Sequence, residues 1–202
     1  MEVKKGQLIV FEGADGAGKT TQCHLLSKHL IASGKTVFQH HFPSYGTYHG
    51  AIVEHFLAGD FGDASNNSPY FVNSLYAVDR AIAWRKILKE HFENGETILL
   101  DRYTTSSLLY QSAQFDDLEE KKRFIQYVLD FEYGKLGIKE PDRTIFLQLP
   151  WELTLRLIIE RAKKTGVERD VFERDVEYLK RINDHKKFVA EYLSWDIIEC
   201  SQ

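Results

Sequence analysis

The sequence predicts an α/β fold with a five-stranded parallel sheet and helices on both of its faces. Three observations indicate it: short apolar runs alternate with helical periodicity, the first run leads into a glycine-rich turn, and no linker divides the 202 residues. Only four prolines occur, with no low-complexity tract or fixed-period repeat. We therefore expect residues 1–202 to form a single domain.

The predicted strands are apolar runs rich in Ile, Val, Leu and Phe that are too short for helices. They cover 6–13, 35–41, 96–103, 143–149 and 196–200. Helical patterns fill the intervals at 19–33, 51–58, 69–92, 104–113, 118–134, 151–161 and 171–194. Pro69 suits a first helical turn, while Gly34 and Asn94-Gly95 suit helix ends. This alternation predicts parallel strands whose carboxyl ends form the ligand-binding edge.

Composition excludes several classes of protein. Lys and Arg total 26 against 30 Asp and Glu, and the net charge of −4 argues against a nucleic-acid coat. No apolar run approaches the ~18 residues of a membrane span, and the N-terminus is a poor signal peptide. Two cysteines in a chain of this length suggest incidental thiols. We therefore expect a cytoplasmic protein that binds neither nucleic acid nor membrane.

The glycine-rich turn matches the phosphate-binding pattern G-x-x-x-x-G-K-[ST], between a predicted strand and a predicted helix. Lys19 would reach the β- and γ-phosphates of a nucleotide, and the Thr20 hydroxyl would lie on Mg²⁺. The ATP-binding residues predicted here are Gly13, Ala14, Asp15, Gly16, Ala17, Gly18, Lys19, Thr20 and Thr21.

The rest of the chain narrows the class of nucleotide-binding protein. A GTPase needs a guanine-reading N-K-x-D, and the nearest string, Asn183-Asp184-His185-Lys186, does not match. A larger ATPase needs more chain. The sequence favours a small-molecule kinase, with a nucleotide-binding regulator without turnover as the alternative.

Two segments point to a second substrate. Tyr76 and Arg80 are spaced i, i+4, so a ring and a guanidinium share one helix face and suit a flat base. The alternative is a core tyrosine with a surface arginine.

The second segment begins at the predicted end of the third strand. Asp101 suits the water shell of a metal, and Arg102 suits a bidentate clamp on phosphate. Ser107, Tyr110 and Gln111 share a face of the helix that follows. The alternative is a structural ion pair at a strand end.

These segments together resemble the thymidylate kinase family, a family of P-loop nucleoside monophosphate kinases. The resemblance spans residue 6 to about 180, and D-R-Y-x-x-S-x-x-x-Y-Q is its most specific motif. It is carried by FEGADGAGKTTQ (11–22), Phe42-Pro43-Ser44-Tyr45-Gly46, LYAVDR (75–80), DRYTTSSLLYQ (101–111) and PDRTIFLQLP (141–150).

The resemblance implies roles at the acceptor phosphate and sugar. Asp15 looks like the family's acid near the acceptor 3′-hydroxyl, and Arg102 looks like the clamp on the acceptor phosphate, helped by Tyr45. Tyr110 lies where the family's aromatic residue crowds the 2′ position, which implies a preference for deoxyribose.

The resemblance also implies a base pocket. Phe42 and Pro43 would form its wall, and Tyr76 occupies the family's stacking position. Arg80 would read a base carbonyl, and Ser107 would lie close to the base. Gln111 completes the predicted substrate-binding set.

A basic, glycine-containing segment at 161–170 suggests a short mobile lid over the transferring phosphates, or alternatively an exposed helix end. Family members place a catalytic arginine in the P-loop or in the lid. Gly16 leaves the P-loop without one, so Arg161 is the first candidate, followed by Lys163 and Arg169 as ATP ligands. Two further departures are Gln148, where many members carry an acid, and a chain that stops just after the last strand.

The sequence thus predicts a kinase that transfers the γ-phosphoryl group of ATP to dTMP with Mg²⁺. The predicted catalytic residues are Lys19, Asp15, Arg102 and Arg161, and the predicted metal residues are Thr20 and Asp101. A kinase for another nucleoside monophosphate or for a deoxynucleoside is the alternative. The resemblance also implies a homodimer.

Overall fold

A computed structural model describes residues 5–62, 66–165 and 176–200. Its strands are β1 (Gln7–Gly13), β2 (Val37–His41), β3 (Thr97–Asp101), β4 (Arg143–Gln148) and β5 (Asp196–Glu199). Its α-helices are α1 (Lys19–Ala32), α2 (Ala51–Ala58), α3 (Pro69–Ala83), α4 (Lys89–Glu93), α5 (Thr104–Tyr110), α6 (Leu118–Leu129), α7 (Trp151–Thr165) and α8 (Val176–Tyr192).

The predicted five-stranded parallel sheet is confirmed, with strand order β2-β3-β1-β4-β5. β1 is central, with β2 and β3 on one side of it and β4 and β5 on the other. In such sheets ligands bind in the crevice at the carboxyl ends of the strands, at the point where the strand order changes direction. The carboxyl ends of β1 and β3, which pair in register up to Phe11 and Asp101, therefore define the candidate site.

Both faces of the sheet are covered, as predicted. Leu8 and Val10 of β1 pack with Trp84 and Leu88 on one face. Their neighbours Ile9 and Phe11 point to the opposite face, against Cys23 of α1. Each such buried side chain stabilises the fold by about 1.5–3 kcal/mol.

Another core lies beneath the second half of the chain. Leu108 and Leu109 of α5 pack with Phe124 of α6, Phe146 of β4 and Val189 of α8. This cluster fixes α8 against α5, the helix that follows Asp101 and Arg102.

Two helices change their winding. A π-helical turn, Trp84–Leu88, joins α3 to α4, and a second π-helical segment, Asp130–Lys135, follows α6. Short π segments inside α-helices frequently mark functional sites, because they turn side chains that a regular helix points elsewhere. A 3₁₀ turn, Ser112–Gln114, follows α5.

Some predicted boundaries are wrong. β3 ends at Asp101, so Arg102 lies beyond the strand. α7 continues to Thr165, because the residues before Gly166 are good helix formers, so the first half of the predicted lid is helical. No helix in the described ranges is long and apolar enough to cross a membrane.

Candidate active site

The glycine-rich turn passes close to β4 before α1 begins. Gly13 has φ 148°, and a Cβ there would lie 2.6 Å from the Leu147 carbonyl oxygen, so only glycine fits. Gly18, with φ 85°, is the residue before α1 and adopts the left-handed conformation. The free N–H groups of the first turn of α1 therefore open onto the loop, an arrangement that binds phosphate.

Lys19 lies beneath this loop. Its side chain is buried, and its Nζ donates to the carbonyl oxygens of Gly13 at 3.1 Å and Ala14 at 2.9 Å. Burial, and then the positive charge of Arg102, lower the pKa of Lys19. The side-chain nitrogen of Lys19 therefore lies against the loop that would carry the nucleotide phosphates.

Thr20 and Asp101 meet where the P-loop and β3 end side by side. The Thr20 hydroxyl donates to Asp101 Oδ2 at 2.5 Å. Asp101 is 4 % exposed, and its Oδ1 is buried without a hydrogen-bond partner among the described residues. A buried, unpaired carboxylate oxygen beside a hydroxyl is the donor set that Mg²⁺ prefers, so these two residues fit the predicted metal.

Arg102 is held in an unusual backbone conformation directly after β3. Its φ of 68° costs an arginine about 1–2 kcal/mol relative to an ordinary φ. Its NH2 donates to Asp15 Oδ1 at 2.5 Å, and its NH1 donates to the Tyr110 hydroxyl at 3.5 Å. These contacts offset the cost of the backbone conformation and direct the guanidinium towards the P-loop.

Charge around Arg102 keeps it protonated. Burial by itself would lower its pKa, but Tyr110 and the carboxylates of Asp15 and Glu12 outweigh burial and raise the pKa of Arg102 well above its usual value. The structure thus brings Asp15 of the P-loop against Arg102 and Tyr110 of the D-R-Y segment, so two separately predicted motifs meet.

Glu12 is a site residue that sequence reasoning missed. It is fully buried and accepts hydrogen bonds from the hydroxyls of Thr105 at 2.8 Å and Ser106 at 2.7 Å, and from Arg102 at 3.4 Å. It therefore fixes the start of α5 against the P-loop. The available signal was an acid ending the otherwise apolar run LIVFE.

Arg80 lies in the interior, so the alternative of a surface arginine is wrong. Its Nε and NH2 donate to the two carboxylate oxygens of Glu132 at 2.7 and 2.6 Å. NH2 also donates to Ser107 Oγ at 2.9 Å, and NH1 donates to the Tyr103 carbonyl at 3.4 Å. Burial opposes the charge, but Glu132 outweighs it and raises the pKa of Arg80.

Glu132 was also missed, and no local signal marks it. It lies in the π-helical segment after α6, 52 residues from Arg80, and Thr104 Oγ1 donates to it at 2.8 Å. The π winding and the buried carboxylate together orient Arg80 towards Ser107. Reading of a base by Arg80 and Ser107 stays a prediction.

Tyr76 lies on α3, one turn before Arg80. Burial raises its pKa above the usual value, and Tyr45 raises it further. The positive charges of Arg102 and Arg80 act in the opposite direction on the pKa of Tyr76. The ring also makes an edge contact with Phe56, with centroids 6.3 Å apart.

The loop after β2 places the other predicted pocket residues. Phe42 is buried in the core with its ring centroid 5.6 Å from that of Tyr103, and the peptide bond to the buried Pro43 is cis. Tyr45 is exposed and stacks on His41. Their predicted roles at the base stay predictions.

The remaining predicted residues lie in several different elements. Gln111 is buried after α5, Thr21 is exposed on α1, and Lys163 is exposed near the end of α7. Gln148 ends β4 at the same sheet edge, with its Oε1 buried and unpartnered among the described residues. Arg169 and the side chain of Arg161 lie outside the described residues.

Comparison with known proteins relates the chain to one family. The family model "Thymidylate kinase" matches residues 11–201. Thymidylate kinase of Mycobacterium tuberculosis is 35 % identical over 176 residues, covering 86 % of this chain and 81 % of that protein. A probable thymidylate kinase of Thermococcus gammatolerans is 32 % identical, with coverages of 92 % and 84 %.

A solved structure shares the fold. The structure of thymidylate kinase from Candida albicans superposes with a TM-score of 0.70 at 22 % identity, covering 96 % of this chain and 84 % of that chain.

Proposed function

This chain belongs to the thymidylate kinase family, and we propose that it uses the site described above to transfer the γ-phosphoryl group of ATP to dTMP. It is an ATP-dependent nucleoside monophosphate kinase, and its products are dTDP and ADP. The observation that carries the assignment of residues is the contact of Arg102 with Asp15 and Tyr110 beside the P-loop.

The chemistry is a direct in-line transfer. An oxygen of the acceptor phosphate forms a bond to the γ-phosphorus while the bond to the β-phosphate oxygen breaks, and ADP leaves with that electron pair. The loose transition state needs positioning and neutralisation more than covalent help. Two anionic groups must meet, so the cations of the site carry the catalysis.

The roles proposed for these residues are those that the family resemblance implies, and their positions support them. Lys19, together with the loop N–H groups, holds the β- and γ-phosphates of ATP. Arg102 holds the acceptor phosphate, and Asp15 lies against Arg102, where it fixes the guanidinium and approaches the acceptor sugar. Tyr110 closes the 2′ side of the sugar, which favours deoxyribose by steric exclusion.

Thr20 and Asp101 would hold Mg²⁺, whose chemistry is to offset the charge of the β- and γ-phosphates. Other residues position the substrate: Glu12 keeps α5 in place, and Arg80 with Ser107 would present donors to the base. Lys163, Arg161 and Arg169 supply the charge of the lid.

We also propose that residues 1–202 form one domain and that the protein acts in the cytoplasm. A single sheet joins strands from both ends of the described chain. Cys23 and Cys200 are free thiols, which suits a reducing compartment.

A homodimer is supported by apolar side chains left exposed on and around α2 and α3. Ile52, Leu57, Phe61, Tyr70, Phe71 and Val78 are each between 36 % and 50 % exposed. A second copy of the chain would cover them. Light scattering at micromolar concentration tests this, with a mass near 47 kDa expected from the 23.5 kDa chain and a monomer contradicting it.

The function is tested by coupled ADP release with ATP over a panel of nucleosides and nucleoside monophosphates. The highest kcat/KM is expected with dTMP, and Lys19→Met provides the control for contaminating kinases. Preference for a nucleoside over its monophosphate would contradict the role of Arg102 as a phosphate clamp.

A further inference from the structure

Lys186 of α8 is a buried lysine turned towards the acceptor side of the site. It is 4 % exposed, and Ile182 and Ala190, one turn away on either side, are buried too, so this face of α8 points inward. The next residue, Lys187, points outward: its side chain is 47 % exposed and pairs with Glu199 at 3.5 Å.

The side-chain nitrogen of Lys186 contacts Tyr110. Its Nζ donates to the Tyr110 hydroxyl at 2.9 Å and lies 4.1 Å from the centroid of the same ring. Among the residues that the structure describes, no carboxylate pairs with this ammonium. A buried ammonium is costly without a counter-charge, so a lysine that served packing alone would be poorly placed here.

The Tyr110 hydroxyl is thereby left as a donor. Its oxygen accepts from Lys186 at 2.9 Å and, over a longer distance of 3.5 Å, from NH1 of Arg102. Charged lysine and arginine side chains have no acceptor, so neither of these neighbours takes the phenolic proton. That proton therefore stays available to a third group, and donation from cations to the oxygen strengthens such a bond.

We propose that Lys186 is a positioning residue of the acceptor site, which locks the Tyr110 ring and directs the hydroxyl proton to an oxygen of the acceptor nucleotide. This inference rests on the proposed function, in which Arg102 holds the acceptor phosphate beside Tyr110.

The test compares Lys186→Met with Lys187→Met, in the wild-type chain and in Tyr110→Phe. Calorimetry measures dTMP binding, and steady-state kinetics give the KM values for dTMP and ATP. Lys186→Met should weaken dTMP binding about tenfold to a hundredfold, because the Tyr110 hydroxyl is then no longer held in position to donate to the nucleotide. The KM for ATP should stay within about twofold, and Lys187→Met should match wild type.

The Tyr110→Phe background separates positioning from packing. Without the phenolic oxygen, Lys186→Met should change dTMP affinity by no more than about threefold, because the two substitutions remove the same bond. Lys186→Arg should retain most of the affinity. Equal losses in both backgrounds, or equal losses for dTMP and ATP, would overturn the proposal.

Tyr110→Phe alone keeps the proposal falsifiable if Lys186→Met folds poorly. It should weaken dTMP binding to a similar extent, and wild-type affinity in this variant overturns the inference. A wild-type protein that does not phosphorylate dTMP would contradict the proposed function instead, and the binding comparison would then use the monophosphate that it does phosphorylate.

Discussion

The buried pair of Arg80 and Glu132 makes a sharp prediction about stability. Their side chains are 2 % and 0 % exposed, and two short hydrogen bonds join them. Glu132→Gln keeps the shape but removes the negative charge, and its new N–H group faces donors from Arg80 and Thr104. Leaving the guanidinium buried and uncompensated should lower the free energy of unfolding by about 3–5 kcal/mol.

The sign of the effect should reverse when the arginine is absent. In Arg80→Met the carboxylate of Glu132 is itself a buried, unpaired charge, so adding Glu132→Gln should be neutral or stabilising. Glu119→Gln is the matched control, because Glu119 pairs with Lys122 on the exposed face of α6 at 2.8 Å. That variant should have the stability of the wild type.

Urea unfolding at pH 7.5, followed by far-ultraviolet circular dichroism, measures these differences. A loss below about 1 kcal/mol in Glu132→Gln would refute the reasoning, since it would mean that the charge of Arg80 is compensated elsewhere. The same loss in the wild-type and Arg80→Met backgrounds would refute it too. The KM for dTMP should rise in Glu132→Gln because the guanidinium is no longer oriented.

Three further substitutions test other parts of the site, and a fourth tests the stability of the fold. Lys19→Met should lower kcat about 10²–10³-fold, since one preorganised cation is removed, and a near-normal kcat would exclude its role at the phosphates. Arg102→Ala should raise the KM for dTMP and lower kcat while leaving the KM for ATP unchanged; an unaltered KM for dTMP would contradict the clamp. Tyr110→Ala should increase activity on the ribonucleotide relative to dTMP, and an unchanged ratio would remove the steric account of sugar choice. Burial lowers the pKa of His185 from 6.5 to about 4. Between pH 6.5 and pH 4 the unfolded chain therefore binds more protons at this residue than the folded chain does. The free energy of unfolding should fall as the pH falls through this range, by about 3 kcal/mol in all. His185→Gln should flatten this part of the urea-unfolding pH profile, and an unchanged slope would contradict the assignment.

Prediction from sequence worked best where the relevant structure is local. The P-loop depends on glycines that adopt positive φ and on a lysine and a threonine at fixed offsets, all within eight residues. The strands depend on short apolar runs, and the sheet edge follows from their alternation with helices. Asp101 and Arg102 were placed at that edge because they follow such a run.

Local signals also had limits. Arg102 was expected at the end of a strand, but it lies just past it with φ 68°, a conformation that its contacts with Asp15, Tyr110 and Glu12 stabilise. The first residues of the predicted lid, 161–165, belong to α7, because their helix propensity continues the helix to Thr165.

The sequence by itself determined the fold class, the phosphate loop and the residues of the D-R-Y segment, because backbone geometry and periodicity are encoded within a few neighbouring residues. Tertiary structure alone decided which charges meet: Asp15 with Arg102 across 87 residues, Arg80 with Glu132 across 52, and Lys186 with Tyr110 across 76. Such pairs depend on how helices pack on the sheet and on where a π-helical turn rotates a side chain. No spacing in the sequence records that packing, so the contacts of Glu12, Glu132 and Lys186 emerge only from the folded chain.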